Sequence, residues 1–540
     1  MWYYFPNIVI HLFVYHIRSV LVKKYLVLLM ALIVLAIPVM SGCGPEKTTS
    51  STLPKTTAGT ATQTTTTTTA KEAIKMTQLK IDTGLIEGMV VGEKGNEVNV
   101  YRGIPYAVPP VGDLRWRAPQ PPASWEGVRN CTEFSKMPPQ NPMFGFNVSA
   151  VATSEDCLYL NVSVPANTNV KNLPVMVWFH GGMYAMGSGN DLLANNYRLP
   201  QQGVVLVTVN HRLDVVGLLA HPLLSKESEN GISGNYMFLD MIASLQWVQR
   251  NIAAFGGDPG NVTIFGESGG GAKVSTLMAS PLAKGLFHRV ICESGTATAT
   301  TWWTGRPLAN LEALGQKIFE NLGITTLEEA RALPYEKFYQ ANTQITPQSG
   351  SNWGIVDCAV DGWFLKEAPL AAFQSGNINA VPLICVANKG ELTAMFPMLI
   401  PGYVEMLKGL EKTGVKGYAC IFNQVPATWR SEGLADAPHG LELLYVFGDY
   451  DNITGWWDAT FAMAGMMGGT ALKTKDPGLT ATDKYVSESI MRIWAQFAKT
   501  GNPNIDGLVD WPAYKTADGQ YLYIDQTLEI KSGFSKITQK

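Results

Sequence analysis

Gly266-Glu267-Ser268-Gly269-Gly270 sets one hydroxyl among glycines, after the apolar run Val262 to Phe265 and before a small-residue stretch able to start a helix. A strand that turns at once into a helix forces strained backbone on the turning residue, and only small residues two positions either side avoid collision. A serine held there projects at a helix N-terminus. Unpaired N–H groups and the helix dipole at that place favour the oxyanion formed when the hydroxyl attacks a carbonyl. Ser268 is the candidate nucleophile and acyl transfer the candidate chemistry. The pentapeptide alone is a weak signal, since a chain of this length and glycine content carries on the order of 0.3 by chance. Its partners decide.

A serine hydroxyl needs a base, normally His, itself oriented by a carboxylate. In an acid-then-His chain order both follow the serine, and only His288 and His439 lie beyond Ser268. His288 enters the next apolar run and reads as structural. His439, in the Pro- and Gly-punctuated loop Ala437-Pro438-His439-Gly440, is the expected base. Glu391 follows the apolar run Leu383 to Ala387 by a few residues and is the expected acid. Asp361 and Asp436 are the alternatives, each more in keeping with a turn former. Gly269 offers one oxyanion N–H. His180-Gly181-Gly182-Met183, after the apolar run Leu173 to Phe179, offers those of Gly182 and Met183.

These residues need a scaffold that brings them to one edge. Leu173 to Phe179, Val204 to Val209, Val262 to Phe265, Val290 to Cys292 and Leu383 to Ala387 are continuous apolar runs of strand length, as expected for strands buried on both faces. Phe238, Met241, Ile242, Leu245, Val248, Ile252 and Phe255 recur at helical spacing. Strand and helix alternating in this way predict an α/β fold, a mostly parallel mixed sheet flanked by helices, with its site at the carboxyl ends of the strands.

The chain has 540 residues, 46% of them hydrophobic, enough for a sizeable core. A net charge of -3 with 16% charged residues gives no electrostatic basis for binding nucleic acid. Residues 1–43 read as an export segment. Lys23-Lys24 precede the apolar run Tyr25 to Met40, and Ser41-Gly42-Cys43 resembles a lipobox whose lipidated Cys43 would begin the mature chain. An uncleaved membrane anchor is the alternative, and a translation start near Leu21 is expected. Residues 44–77 are Thr-rich and read as a tether too polar to fold; residues 78–540 are the globular domain. Outside the cytoplasm Cys131 and Cys157 are expected to form a disulfide closing a loop of about 25 residues, worth roughly 3 kcal/mol in the chain-entropy model; two buried thiols are the alternative. Cys292, Cys358, Cys385 and Cys420 lack metal-ligand spacing and read as core thiols.

With YRGIPYA, EDCLYLNV, WFHGGMYAMGSG, VNHRLDVVGLLA, FGGDPGNVTIFGESGG, NKGE, PHGLELLYVFG and FAKTGNPN laid out, the domain resembles the type-B carboxylesterases, the family that also holds the cholinesterases. The resemblance implies an α/β-hydrolase fold and a triad of Ser268, Glu391 and His439. It implies oxyanion donors at Gly182, Met183 and Gly269, a Cys131–Cys157 disulfide, and no metal or organic cofactor. The chain departs from the family pattern at Met183, where relatives usually carry a third glycine, and at Gly269, where Ala is usual. The surroundings Gly390-Glu391-Leu392 also differ, and the spacing from Glu391 to His439 is short for the family, so that gorge-wall helices are expected to be reduced. Trp302 or Trp303 maps near an acyl pocket, with a core role as the alternative. The expectation is an exported, lipid-anchored serine carboxylesterase acting on small-molecule esters. The alternatives are a related binding or adhesion protein without activity, and the same mechanism on lactones, carbamates or phenolic esters.

Overall fold

The structure, a computed structural model, describes residues 76–140, 152–166, 170–345, 355, 357–394, 397–451, 454–467 and 471–537. The export segment, Cys43 and nearly all of the Thr-rich linker lie outside the described residues. The first strand begins at Met76, so Met76 and Thr77, expected in the linker, instead pair with Met89 and Gly88.

The strands are β1 (Met76–Ile81), β2 (Gly84–Val91), β3 (Val98–Pro105), β4 (Val128–Asn130), β5 (Tyr159–Pro165), β6 (Leu173–Trp178), β7 (Val205–Val209), β8 (Gly257–Glu267), β9 (Arg289–Glu293), β10 (Arg306–Pro307), β11 (Ala359–Val360), β12 (Leu383–Asn388), β13 (Gly417–Phe422), β14 (Tyr521–Ile524) and β15 (Leu528–Lys531). Among the described residues they make a 13-stranded sheet in the order β1-β2-β3-β5-β7-β6-β8-β9-β12-β13-β14-β15, with β4 beside β2, and a separate β10-β11 pair. From β7 to β14 every neighbour is parallel. The antiparallel strands sit at the two margins.

The parallel centre explains the continuous apolar runs. In β6, β7, β12 and β13 every residue is buried, because both faces are covered. Alternate side chains enter two cores. Val175, Val177, Ile264, Val290 and Ala387 join one with the helices Tyr236–Asn251, Gly269–Ala279 and Leu399–Thr413. Met176, Trp178, Phe265, Ile291 and Val386 join the other with the helices Leu441–Val446 and Ala481–Thr500.

The expected Cys131–Cys157 disulfide is not formed. Both cysteines are free, buried thiols in the first core. Burial pushes the Cys131 thiol up to about 11 and that of Cys157 well above its ordinary value. Both pack as small apolar groups. Cys292, Cys358, Cys385 and Cys420 are buried free thiols, as expected.

Candidate active site

Ser268 stands between β8 and the helix Gly269–Ala279 with φ 57° and ψ −123°, a conformation rare for a residue with a side chain. Two contacts explain the neighbouring glycines. A Cβ on Gly266 would lie 2.5 Å from the Phe179 carbonyl oxygen, and one on Gly270 would lie 2.2 Å from the same atom. The turn thus packs directly on the end of β6. The Ser268 N–H donates to the Glu293 carbonyl at 2.8 Å, tying the elbow to β9. Ser268 is 5% exposed, so its hydroxyl lies in a nearly enclosed place.

β6, β8, β9 and β12 are consecutive neighbours in the sheet, and His180, Ser268, Ser294 and Glu391 follow their carboxyl ends. Past β12, the Asn388 N–H donates to Oε1 of Glu391 at 2.8 Å, leaving Oε2 to face His439 Nδ1 at 2.5 Å. The structure therefore brings His439 to Glu391, the preferred acid. The alternatives do other work. Asp361 accepts the N–H groups of Trp363, Phe364 and Leu365 as a turn former, and Asp436 pairs with Lys389. His288 accepts the Val262 N–H at 3.1 Å, a structural contact.

His439 arrives on a loop that is pinned on both sides. Asn388 Nδ2 donates to the Pro438 carbonyl at 2.8 Å, the Gly390 N–H to the Ala437 carbonyl at 2.9 Å, and the Ala437 N–H to Asn423 Oδ1 at 2.9 Å. The loop is thereby fixed to the ends of β12 and β13.

The electrostatics were not legible from spacing. Glu267, beside Ser268, places Oε1 3.1 Å from His439 Nε2. Ser294 donates to Glu442 at 3.0 Å, and Asn388 Nδ2 donates to the other oxygen of Glu442. Glu293 accepts from Trp494 Nε1 at 2.7 Å. Burial draws the His439 pKa down, but Glu267, Glu391 and Glu442 more than offset it and hold the imidazole well above its ordinary value. Burial raises the Glu267 carboxyl, and His439 pulls it back. Burial also raises Glu442, and raises Glu293 to about 8. One imidazole thus sits among several buried carboxyls that compete for few protons. Only Glu267 could have been found from sequence, by its place inside the pentapeptide.

The Gly181–Met183 turn lies against Ser268. A Cβ on Gly181 would sit 3.3 Å from Ser268 Cβ, and one on Gly269 would sit 2.9 Å from the Met183 nitrogen. Gly182, Met183 and Tyr184 all have positive φ, at 86°, 58° and 65°. Gly269 therefore leaves room for the Met183 backbone. Among the described residues, neither the Gly182 nor the Met183 N–H is hydrogen-bonded elsewhere. Trp303 is 5% exposed, with its ring tilted on Tyr184 at 5.5 Å and edge-on to Trp302. Trp302 is only partly buried against the same core. Among the described residues no group of His, Cys, Asp and Glu is arranged to hold a metal.

The profile of the carboxylesterase family matches residues 75–405 and 398–538. The chain is 33% identical to fumonisin B1 esterase of Sphingopyxis macrogoltabida over 79% of its length and 83% of that protein's. It is 32% identical to para-nitrobenzyl esterase of Bacillus subtilis (strain 168), covering 82% of this chain and 95% of the relative. A solved PNB esterase superposes with a TM-score of 0.72 at 28% identity, over 86% of this chain and 98% of the other. On this match the chain belongs to the carboxylesterase family, as a type-B member and a carboxylic ester hydrolase.

Proposed function

We propose that the chain hydrolyses carboxylic esters through an acyl-enzyme, with Ser268 as nucleophile, His439 as base and Glu391 as orienting acid. The observation that carries this reading is the His439–Glu391 contact of 2.5 Å, held at the same sheet edge as the strained Ser268. His439 accepts the Ser268 proton as the hydroxyl attacks the ester carbonyl. The N–H groups of Gly182, Met183 and Gly269 receive the oxyanion. His439 then protonates the leaving alcohol, and water repeats the steps in reverse on the acyl group. The reading includes export and anchoring through a lipidated Cys43, with the Thr-rich segment as tether. It rests there on sequence pattern alone.

Hydrolysis of a p-nitrophenyl ester series by the protein and by Ser268→Ala tests the mechanism. Removing the nucleophile is expected to lower turnover on the order of a millionfold. A variant that retained turnover would overturn the serine mechanism.

A further inference from the structure

Five residues beyond the nucleophile, on the first turns of its helix, stands a lysine with no exposed surface. Lys273 is 0% exposed, and its Nζ donates to the His180 carbonyl at 2.7 Å and to the Gly181 carbonyl at 3.5 Å. The groups that touch it are not anions; the Glu267 carboxyl lies beyond them against Gly181, with Oε2 2.9 Å from where a Cβ there would stand. The His180 and His211 rings stack 4.6 Å apart, and the Tyr184 ring presents its face at 5.8 Å from Nζ. Among the described residues no carboxylate is hydrogen-bonded or ion-paired to Lys273. Both imidazoles are held neutral, since burial and then the nearby lysine depress them well below their ordinary value. Burial depresses Lys273 as well.

A buried cation without an anion is costly, and a helix-facing apolar residue would pack there at less cost. What the lysine touches gives it a use. The Gly181 carbonyl accepts from Lys273 and, at 2.9 Å, from His180 Nδ1. That carbonyl shares its peptide unit with the Gly182 N–H. Donors on the oxygen of an amide polarise it and strengthen the N–H on its other side. The same contacts fix a turn whose residues Met183 and Tyr184 hold positive φ.

We propose that Lys273 is a positioning residue for the oxyanion hole: its ammonium grips the His180 and Gly181 carbonyls, fixing and polarising the Gly182 N–H toward the charge that develops on the substrate oxygen. The inference rests on the reading of Gly182 as an oxyanion donor. In this arrangement the ammonium stands one peptide unit behind the N–H that meets the developing oxyanion. Its charge therefore favours the transition state over the ground state.

Lys273→Met in the full chain tests the inference, with p-nitrophenyl butyrate as substrate. The expected result is a fall in kcat of about tenfold or more, KM within about twofold, and an unfolding midpoint equal to or above that of the unaltered protein. The kcat of the unaltered protein is expected to fall on the alkaline side at a pH below the ordinary lysine range, as the ammonium loses its proton. Lys273→Met should lack that limb. Lys273→Arg, which keeps the charge, should retain more activity than Lys273→Met. Unchanged kcat in Lys273→Met, an alkaline limb that persists in it, or losses of rate and stability in parallel would each overturn the positioning role. Should Lys273→Met not fold, the alkaline limb of the unaltered protein decides, its absence overturning the role. Failure of the parent reading looks different, because the unaltered protein and Ser268→Ala would then turn over alike.

Discussion

In the proposed mechanism His439 acts as a base only when its proton leaves against the pull of Glu267, Glu391 and Glu442, all of which raise its pKa. The acid limb of kcat/KM reports that loss in the free enzyme. That mechanism makes neutral His439 the active form, so any group that raises its pKa moves the limb to higher pH. Glu267→Gln removes one such charge, 3.1 Å from Nε2, and is expected to move the limb to lower pH; a pH profile of kcat/KM checks this. Glu391→Gln keeps the shape of the acid but reverses the preference of Nδ1, and a comparable change in a serine triad costs about 10⁴-fold in kcat. Steady-state kinetics would show the loss with little change in unfolding. At this scale the meeting of His439 with Glu391 was legible, because so few histidines follow Ser268 and because Glu391 lies three residues past the end of a central strand. The carboxyls of Glu293 and Glu442 and the ammonium of Lys273 were not. Their roles depend on contacts such as Ser294 to Glu442, 148 residues apart in sequence, that no local pattern encodes. Lys273 left one trace, a lone charge in a run of small and apolar residues.

The elbow is a packing problem between two elements before it is a catalytic device. Gly266 and Gly270 both meet the Phe179 carbonyl, so the helix Gly269–Ala279 can start only if neither carries a side chain. Gly270→Ala drives a methyl into backbone that cannot rotate away, an overpacking expected to cost about 1–3 kcal/mol of stability together with most of the activity. Denaturant unfolding followed beside turnover measures both. The central strands were readable as unbroken apolar runs because a parallel sheet covered on both faces needs nothing polar in them. The marginal strand β15, Leu-Glu-Ile-Lys, carries no such run. Its place follows from pairing with β14, not from its own composition.

For the whole molecule, the cysteines give a direct test. With Cys131 and Cys157 buried as free thiols beside four others, a reductant is expected to leave the unfolding midpoint unchanged. A midpoint that fell on reduction would restore the bridge expected from sequence. The misjudgement has a physical root: an export signal argues for an oxidising compartment, but it does not say which side chains meet. The sheet also carries a consequence for how such a protein can change over time. Glu391 is anchored to the end of β12, and the His439 loop is clamped to Asn388 and Asn423 at the ends of β12 and β13. Of the chain between them, the end of β13 with Asn423 belongs to this clamp, and the connection that precedes β13 stands outside it. Segments can therefore be gained or shed there by insertion and deletion while acid and base stay in register. Diversity of substrate in such a lineage can then come from the length of its connections as readily as from point substitution.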